Sequence, residues 1–331
     1  MKPKRASQLR IRWPVAIANV ALILLILGAI VGFKQEKTAA NLVLHLHLGW
    51  IAIVVVLQAG TYLGTGAAWD VILRRFGVQT KLLGVAALGI EKLFIDQLVP
   101  TLGVGGSLMI MHGLIQRGVK RGIAAAAMAI DSIGYLVAYF LVFMLTTVLL
   151  YFQHDISFAI GIFMGCFTLL LFVSAAGALL LALHIGETRW PPWLRRFGFM
   201  REIGSAMREA PEELQAGAHA APWTVLFEAL VFVLDAATLW AVFHALGAPI
   251  SPIQALVSFM LASAVAAISI IPGGVGFFEG SAIAVLHTFG ASFATAVAGV
   301  VLLRAFTYWL PMLPGYLILR YELVVRGRHT R

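Results

Sequence analysis

The chain has 331 residues, of which 61% are hydrophobic and 12% charged, with a mean hydropathy of +0.93 and a net charge of +9. This composition excludes an ordinary soluble globular domain and predicts an integral membrane protein. In such a protein the Lys and Arg residues belong to loops at the membrane surface, so the net charge does not indicate nucleic-acid binding.

The amino-terminal part predicts two crossings of the membrane. The basic segment 1–12 precedes a first apolar run, 13–33, which is long enough to span a bilayer and is read as a retained span rather than a signal peptide. The positive-inside rule places segment 1–12 in the cytoplasm. A second run, 48–70, returns to the cytoplasm, where three basic residues follow it.

The next part predicts an interrupted unit and two more crossings. Residues 82–116 contain two apolar helices separated by LVPTLGVGGS, and basic residues place both ends of this unit in the cytoplasm. Runs 122–151 and 157–184 then cross outward and back. Segment 190–210 has apolar residues and arginines at helical spacing, which predicts an amphipathic helix lying on the anionic cytoplasmic leaflet.

The carboxyl-terminal part has a similar order of elements. Residues 222–246 cross outward, 252–288 form a second interrupted unit around SIIPGGVGFFEG, and 292–319 return before a basic cytoplasmic tail, 326–331. The fold prediction is therefore an all-α polytopic membrane protein with six full spans plus two broken or re-entrant helix hairpins.

The two interrupted units lie in sets of opposite orientation. Sets 48–151 and 222–319 match in element order, which is typical of inverted-topology repeats in transporters, and we assign 13–325 to a single membrane domain. The interrupted units carry no Lys or Arg at their breaks, which favours re-entrant tips. Full hairpins would place the flanking basic residues on the same sides of the membrane, so that alternative stays open.

Proline and glycine explain why these helices break. Proline lacks the backbone donor and glycine accepts non-helical dihedrals, so unpaired backbone groups are exposed at membrane depth. Such backbone is tolerated only when protein buries it or a polar cavity solvates it, and a helix amino end in that cavity attracts phosphate. The alternative is simple kinking of tightly packed spans. The residues concerned are Pro100, Gly105 and Gly106 in the first unit and Pro272, Gly273, Gly274 and Gly276 in the second.

Charged residues inside the predicted spans are candidates for binding a headgroup. Arg304 and Asp235 fall near the middle of their spans, where each isolated charge would cost roughly 2.5 to 3.5 kcal/mol. Glu279 lies close to the second break, so we expect Arg304 to be bracketed by Glu279 and Asp235. The alternative is a buried ion pair that only fixes helix register.

Four further charges are less decisive. Asp131 and Glu228 would extend the polar path, but both lie close enough to the cytoplasmic ends for snorkelling or capping. Lys92 and Asp96 stand four residues apart, a spacing that usually neutralises charge along one helix. Asp96 is the one closest to the proposed cavity.

The sequence contains no Walker loop, zincin motif, dinucleotide fingerprint, nucleophile elbow or CxxC pair. Cys166 is the only cysteine, which excludes an intrachain disulfide. We therefore expect no metal, no cofactor and no enzymatic activity.

Two stretches resemble the lysylphosphatidylglycerol synthase transmembrane-domain family, also described as flippase-like. They are IIPGGVGFFEG followed by an Arg-bearing last span, and DQLVPTLGVGGSLMIMHGLIQRGV followed by AAAAMAIDSIGY. The resemblance covers about residues 13–325. It departs at Asp96 with Gln97 and at 109–112, where the family often has Asn and Arg, so the headgroup bound here is expected to differ. The family's motif positions correspond to Pro100, Gly105, Gly106, Pro272, Gly273, Gly274, Gly276 and Glu279.

The resemblance implies movement of phospholipids or lipid-linked molecules between leaflets of a bacterial or archaeal cell membrane, with both termini cytoplasmic. Members that make aminoacyl lipids carry an additional soluble domain, and nothing after Arg331 supplies one, so synthase activity is not expected. Two alternatives stay open: a secondary transporter of a small anion or ion, and an accessory subunit of a lipid-modifying enzyme. Expected partners are a lipid substrate, anionic membrane lipids, and a second copy of the chain or a lipid-modifying enzyme.

Overall fold

The structure is a computed structural model, and every regular element that it describes is helical. The predicted span 13–33, the segments 1–12 and 326–331, and Pro100 lie outside the described residues, as does almost all of the predicted amphipathic helix. The described residues are 46–78, 81–98, 104–152, 158–183, 210–269, 271–312 and 314–317.

Ten α-helices account for most of the described residues. A 3₁₀ turn, Ala218–Ala220, joins α6 to α7, and a π-helical turn, Ala305–Trp309, continues α10. The helices are α1 Leu48–Arg75, α2 Leu82–Leu98, α3 Val104–Gln116, α4 Arg121–Phe152, α5 Phe158–Leu183, α6 Pro211–Gly217, α7 Ala221–Ala245, α8 Pro252–Ile268, α9 Phe277–Thr288 and α10 Phe293–Arg304.

Five segments of the described chain are long and apolar enough to cross a membrane. They correspond to five of the six predicted spans, and the sixth falls outside the described residues. The chain is therefore a multi-pass helical membrane protein. The segments are Leu48–Arg75, Arg121–Phe152, Ile160–Leu180, Glu212–Ala245 and Phe293–Leu317.

The helices of the two interrupted units are shorter. α2 and α8 have 17 residues each, α3 has 13 and α9 has 12. At the α-helical rise these lengths correspond to about 26, 26, 20 and 18 Å, against about 30 Å for the hydrocarbon core. α8 ends at Ile268, and a break follows it.

Local sequence fixes the starts of α8 and α10. The hydroxyl of Ser251 accepts from the backbone N–H of Gln254 at 3.1 Å, and the Gln254 side chain accepts from the Ser251 N–H at 2.9 Å. Pro252 occupies the first helical position, where its missing donor costs nothing. Ser292 caps α10 in the same way through the N–H of Thr295.

α1 and α7 pack side by side and run antiparallel. The amino end of α1 meets the carboxyl end of α7, where the His47 N–H donates to the Ala245 carbonyl at 2.9 Å. α1 also packs against α2 and α4, while α7 packs against α4, α8 and α10. The buried aliphatic and aromatic side chains lie between these packed helices. α5 packs on α4 and exposes large apolar side chains, as a lipid-facing helix does.

Two glycines allow α1 and α2 to approach closely. A Cβ at Gly66 would collide with the backbone carbonyl of Val85, and a Cβ at Gly89 would collide with the carbonyl of Tyr62. Close backbone approach through small residues is the usual way in which membrane helices gain packing contacts. The position of α2 against α1 therefore depends on these two residues.

Candidate functional site: two buried charge centres

The break between α8 and α9 is set by three glycines with positive φ. The φ angles of Gly273, Gly274 and Gly276 are 66°, 59° and 87°, a region that L side chains rarely adopt. Space is also restricted, because a Cβ at Gly273 would lie 2.6 Å from the Tyr308 hydroxyl and a Cβ at Gly274 would lie 2.9 Å from the Ala266 Cα. The break is therefore a specific backbone structure and not a kink in a continuous helix.

Glu279 closes the amino end of α9. Its Oε2 accepts from the backbone N–H of Gly276 at 2.6 Å, which satisfies one of the free donors of the first turn. The positive end of the helix dipole also favours this carboxylate. The sequence predicts that this helix end attracts phosphate, and in the structure the Glu279 carboxylate occupies it.

Arg304 joins α10 to this break. Its Nε donates to Glu279 Oε1 at 2.5 Å and its Nη2 donates to the Gly273 carbonyl at 2.8 Å. The guanidinium lies 4.3 Å from the ring centroid of Phe278 and 4.8 Å from that of Tyr308. Arg304, Glu279 and the Gly273 carbonyl are called the arginine centre below.

The arginine centre is partly open. The side chains of Arg304 and Glu279 are 12% and 13% exposed, and Nη1 has no hydrogen-bond partner among the described residues. The ring of Tyr308 lies against the guanidinium, and its hydroxyl is buried and lacks a hydrogen-bond partner in the described part of the chain. Donors without a partner beside a fixed cation can bind an anion.

The backbone next to Arg304 forms a π-helical turn, which the sequence did not predict. Within this turn the carbonyl of Phe306 accepts from the Tyr62 hydroxyl at 3.0 Å, and the carbonyl of Thr307 accepts from Gln97 Nε2 at 2.9 Å. Single π turns inside α-helices often occur at functional sites. Side chains of α1 and α2 thus hold the segment that carries Arg304.

Asp235 does not contact the arginine centre, so the predicted bracketing of Arg304 by two carboxylates is wrong. Among the described residues, Asp235 Oδ1 accepts from Gln58 Nε2 at 2.9 Å and from the Thr61 hydroxyl at 3.2 Å. Both donors belong to α1, because the Asp235 face of α7 packs on α1 rather than on α10. The carboxylate therefore forms a polar contact between α1 and α7.

A second charge centre lies where α2, α4 and α7 meet. Lys92 Nζ is 2.7 Å from Glu228 Oε1 and 3.2 Å from Asp131 Oδ2. The side chains of Lys92, Asp131 and Glu228 are 2%, 0% and 2% exposed. These three residues are called the lysine centre below.

The lysine centre corrects two expectations. Asp131 and Glu228 are buried and form ion pairs with Lys92. Their side chains do not extend to the membrane surface, so the snorkelling alternative is wrong. Lys92 forms its close ion pairs with two other helices and acts on Asp96 of its own helix only at longer range, while Asp96 Oδ1 accepts from the Gly106 N–H at 2.7 Å. Gly105 and Gly106 lie in the first turn of α3 and not in a non-helical break.

α3 also contributes to the lysine centre. The hydroxyl of Ser107 donates to Asp131 Oδ2 at 2.6 Å. Gly106 permits the approach, since a Cβ there would lie 2.8 Å from Lys92 Cγ and 2.9 Å from Asp96 Oδ1. The first interrupted unit therefore supplies the cation, a hydroxyl and the close packing around it.

The motif positions and the helix pattern on both sides of the break agree with a known family. The family model described as the lysylphosphatidylglycerol synthase TM region matches residues 15–315. The chain belongs to this family.

Relatedness also extends to the UPF0104 proteins. A UPF0104 membrane protein of Pyrococcus horikoshii is 35% identical over 98 residues, which are 29% of this chain and 29% of the relative. The similarity to that protein thus spans less than a third of either chain. Together with the helical spans, this match agrees with a membrane protein of the lysylphosphatidylglycerol synthase TM family.

Sequence reasoning about this family member missed the lysine centre because its partners are far apart in the chain. Lys92 is 39 residues from Asp131 and 136 residues from Glu228. The available signal was the only lysine of α2, a helix that is apolar except for Glu91, Lys92, Asp96 and Gln97. A lysine at such a position is costly unless carboxylates face it. The carbonyl contacts of Tyr62 and Gln97 had no sequence signal, since they depend on the π turn.

Proposed function

We propose that this protein moves a phospholipid or a lipid-linked molecule between the two leaflets of the membrane. The observation that carries the proposal is the arginine centre, a partly open guanidinium beside a helix break, held by Glu279 and the Gly273 carbonyl. A charged side chain within a spanning segment is a functional-site hypothesis by default. The family match supports a role connected with lipids.

The chemistry of the arginine centre suits the phosphate of a lipid headgroup. Arginine donors bind phosphate oxygens through charge-assisted hydrogen bonds, and here Nη1 is unused within the described chain. The rings of Phe278 and Tyr308 hold the guanidinium plane, which limits its rotation. In this proposal the headgroup passes the arginine centre while the acyl chains stay in the bilayer.

The packing supports two inverted sets of helices, α1–α4 and α7–α10. α1 packs on α2 and α4, and α7 packs correspondingly on α8 and α10. The first helices of the two sets are antiparallel neighbours, as the contact between His47 and Ala245 indicates. We infer an inverted-topology repeat with two re-entrant units, since α3 and α9 are too short to cross a bilayer alone and α2 and α8, with 17 residues each, lie at the lower limit.

We place the protein in a bacterial or archaeal cell membrane with both termini in the cytoplasm, on the distribution of Lys and Arg. We propose transport without a catalytic step. Anionic lipids are the expected surface partners of the basic loops, and a second copy of the chain or a lipid-modifying enzyme is a further expected partner.

The test is leaflet exchange of labelled phospholipids in proteoliposomes that contain the purified protein. Exchange faster than in empty vesicles for at least one lipid class is the expected result, and mass spectrometry of lipids retained during purification selects the classes. Exchange at the rate of empty vesicles for all retained classes would contradict the proposal. Uptake of a small soluble anion without lipid exchange would instead favour a secondary transporter.

A further inference from the structure

The lysine centre has an unbalanced charge. Two carboxylates, Asp131 and Glu228, share the one ammonium of Lys92 at 3.2 and 2.7 Å, and all three side chains are at most 2% exposed. If all three are ionised, their sum is one negative charge on side chains that are buried from the surface. A buried charge without compensation is expensive in a membrane protein, so the site favours uptake of one positive charge.

Within the described part of the chain, no second cation acts electrostatically on Lys92 or Glu228. Glu91 and Asp96 lie on α2, and Asp96 acts electrostatically on Lys92. On α4 the ring centroid of Tyr135 is 5.5 Å from Lys92 Nζ, and Asp235 on α7 acts on Tyr135. α3 contributes the neutral hydroxyl of Ser107.

We propose that Lys92, Asp131 and Glu228 form a binding site for one exchangeable proton that couples lipid movement to a proton gradient. A hydronium ion gives its proton to one of the two carboxylates. One O–H bond of the hydronium breaks, the O–H bond of the carboxyl group forms, a water molecule leaves, and the site becomes neutral. A proton fits better than a metal cation because the lysine ammonium and the Ser107 hydroxyl already lie against the carboxylate oxygens. The coupling rests on the proposed lipid transport, whereas the proton site does not.

One helix connects the lysine centre to the arginine centre. α2 carries Lys92 and, five residues later, Gln97, whose amide donates to the Thr307 carbonyl in the π turn directly after Arg304. α2 also packs against the Pro272–Gly274 turn, whose Gly273 carbonyl accepts from Arg304. Protonation weakens the hold of α4 and α7 on Lys92, and a shift of α2 then acts on the segment that positions Arg304.

Infrared spectroscopy of the purified full chain in lipid tests the proton site directly. Over a pH titration, the wild type should show a C=O absorption from protonated carboxyl groups. This absorption should be weaker in Glu228→Gln, and the part of it that comes from the lysine centre should be absent in the Asp131→Asn/Glu228→Gln double variant. Glu212→Gln, an exposed carboxylate on α6, should leave it unchanged. Identical absorption in the wild type and the double variant would overturn the proposal. If the double variant does not fold, each single variant is compared with the wild type in the same way.

Leaflet exchange under an imposed pH gradient tests the coupling, with the membrane potential clamped and labelled phosphatidylglycerol as probe. If one proton moves per lipid, a gradient of about one pH unit shifts the leaflet ratio of the probe by up to about tenfold. Glu228→Gln should lose this shift.

The other outcomes separate the coupling from the lipid transport. A leaflet ratio that responds to a sodium gradient, or that does not respond to the pH gradient while exchange proceeds, would overturn the coupling but not the lipid transport. No exchange at all would refute the proposed function, and the infrared result would then decide the proton site alone.

Discussion

At the scale of single residues, the break depends on backbone conformations that only glycine adopts without strain. Gly273 has a φ of 66° and its missing Cβ leaves room for the Tyr308 ring. Its carbonyl is also a partner of Arg304. The same residue therefore shapes the break and fixes the cation.

Gly273→Ala is expected to destabilise the protein by about 2 kcal/mol or more, since the left-handed backbone and the clash with Tyr308 add together. Gly280→Ala is the matched control, because Gly280 is an exposed residue of α9 with nothing within 4 Å of its Cβ position. This control should be neutral or more stable by about 0.5–1 kcal/mol. Thermal unfolding in detergent measures both, and equal unfolding temperatures would contradict the argument.

At the scale of helices, Lys92 joins α2 to α4 and α7. Removing a buried cation leaves two buried carboxylates without their partner, which typically costs about 3–5 kcal/mol. Lys92→Met should therefore unfold at a much lower temperature than the wild type, whereas Lys81→Met, at an exposed position before α2, should not.

The triple variant Lys92→Met/Asp131→Asn/Glu228→Gln separates lost charge balance from lost packing. It removes both carboxylate charges together with the ammonium, so a large part of the lost stability should return. A triple variant as unstable as Lys92→Met would show that the charges are not the cause.

The contact between α1 and α2 makes a second prediction at this scale. A Cβ at Gly89 would collide with the Tyr62 backbone, so Gly89→Ala is expected to separate the helices and cost about 1–3 kcal/mol. Gly113 on α3 has no atom within 4 Å of its Cβ position, so Gly113→Ala should stabilise the helix by about 0.5–1 kcal/mol. Opposite shifts in unfolding temperature are the expected result, and a destabilised Gly113→Ala protein would contradict the packing described for α3.

At the scale of the whole molecule, the order of elements was predictable because hydropathy and helix-breaking residues are local signals. The five described spans and the break at Pro272–Gly274 follow from apolar runs, proline and glycine. The pairing of Glu279 with Arg304 was predictable because Glu279 lies at that break and Arg304 is a charge near the middle of the span that follows it, where it needs a partner.

The remaining contacts depend on how helices distant in sequence pack. Asp235 faces α1 instead of α10, and Lys92 reaches carboxylates on two other helices. Helical spacing shows which residues share a face, but it does not show which helix that face meets. The π turn after Arg304 is likewise set by packing, since side chains of α1 and α2 hold its carbonyls.

Membrane topology is tested by cysteine labelling in a Cys166→Ser background. Pro249 and Thr288 are exposed next to turns predicted outside, and Lys120 is exposed next to a turn predicted in the cytoplasm. A membrane-impermeant maleimide applied to intact cells should label cysteines introduced at the first two positions and not at Lys120. Labelling in the reverse pattern would invert the orientation, and equal labelling of all three would contradict the arrangement of the spans.

The most direct test is leaflet exchange of a labelled phospholipid in proteoliposomes that contain wild type, Arg304→Ala or Arg74→Ala. Arg74 forms an ion pair with Asp70 on α1, and its side chain is 60% exposed, so its loss should leave exchange close to the wild-type rate. Arg304→Ala removes the guanidinium proposed to bind the headgroup, and exchange should fall by at least about tenfold, as expected for the loss of one charge-assisted contact of roughly 1.5 kcal/mol. Exchange by a correctly inserted Arg304→Ala protein at the wild-type rate would contradict the account.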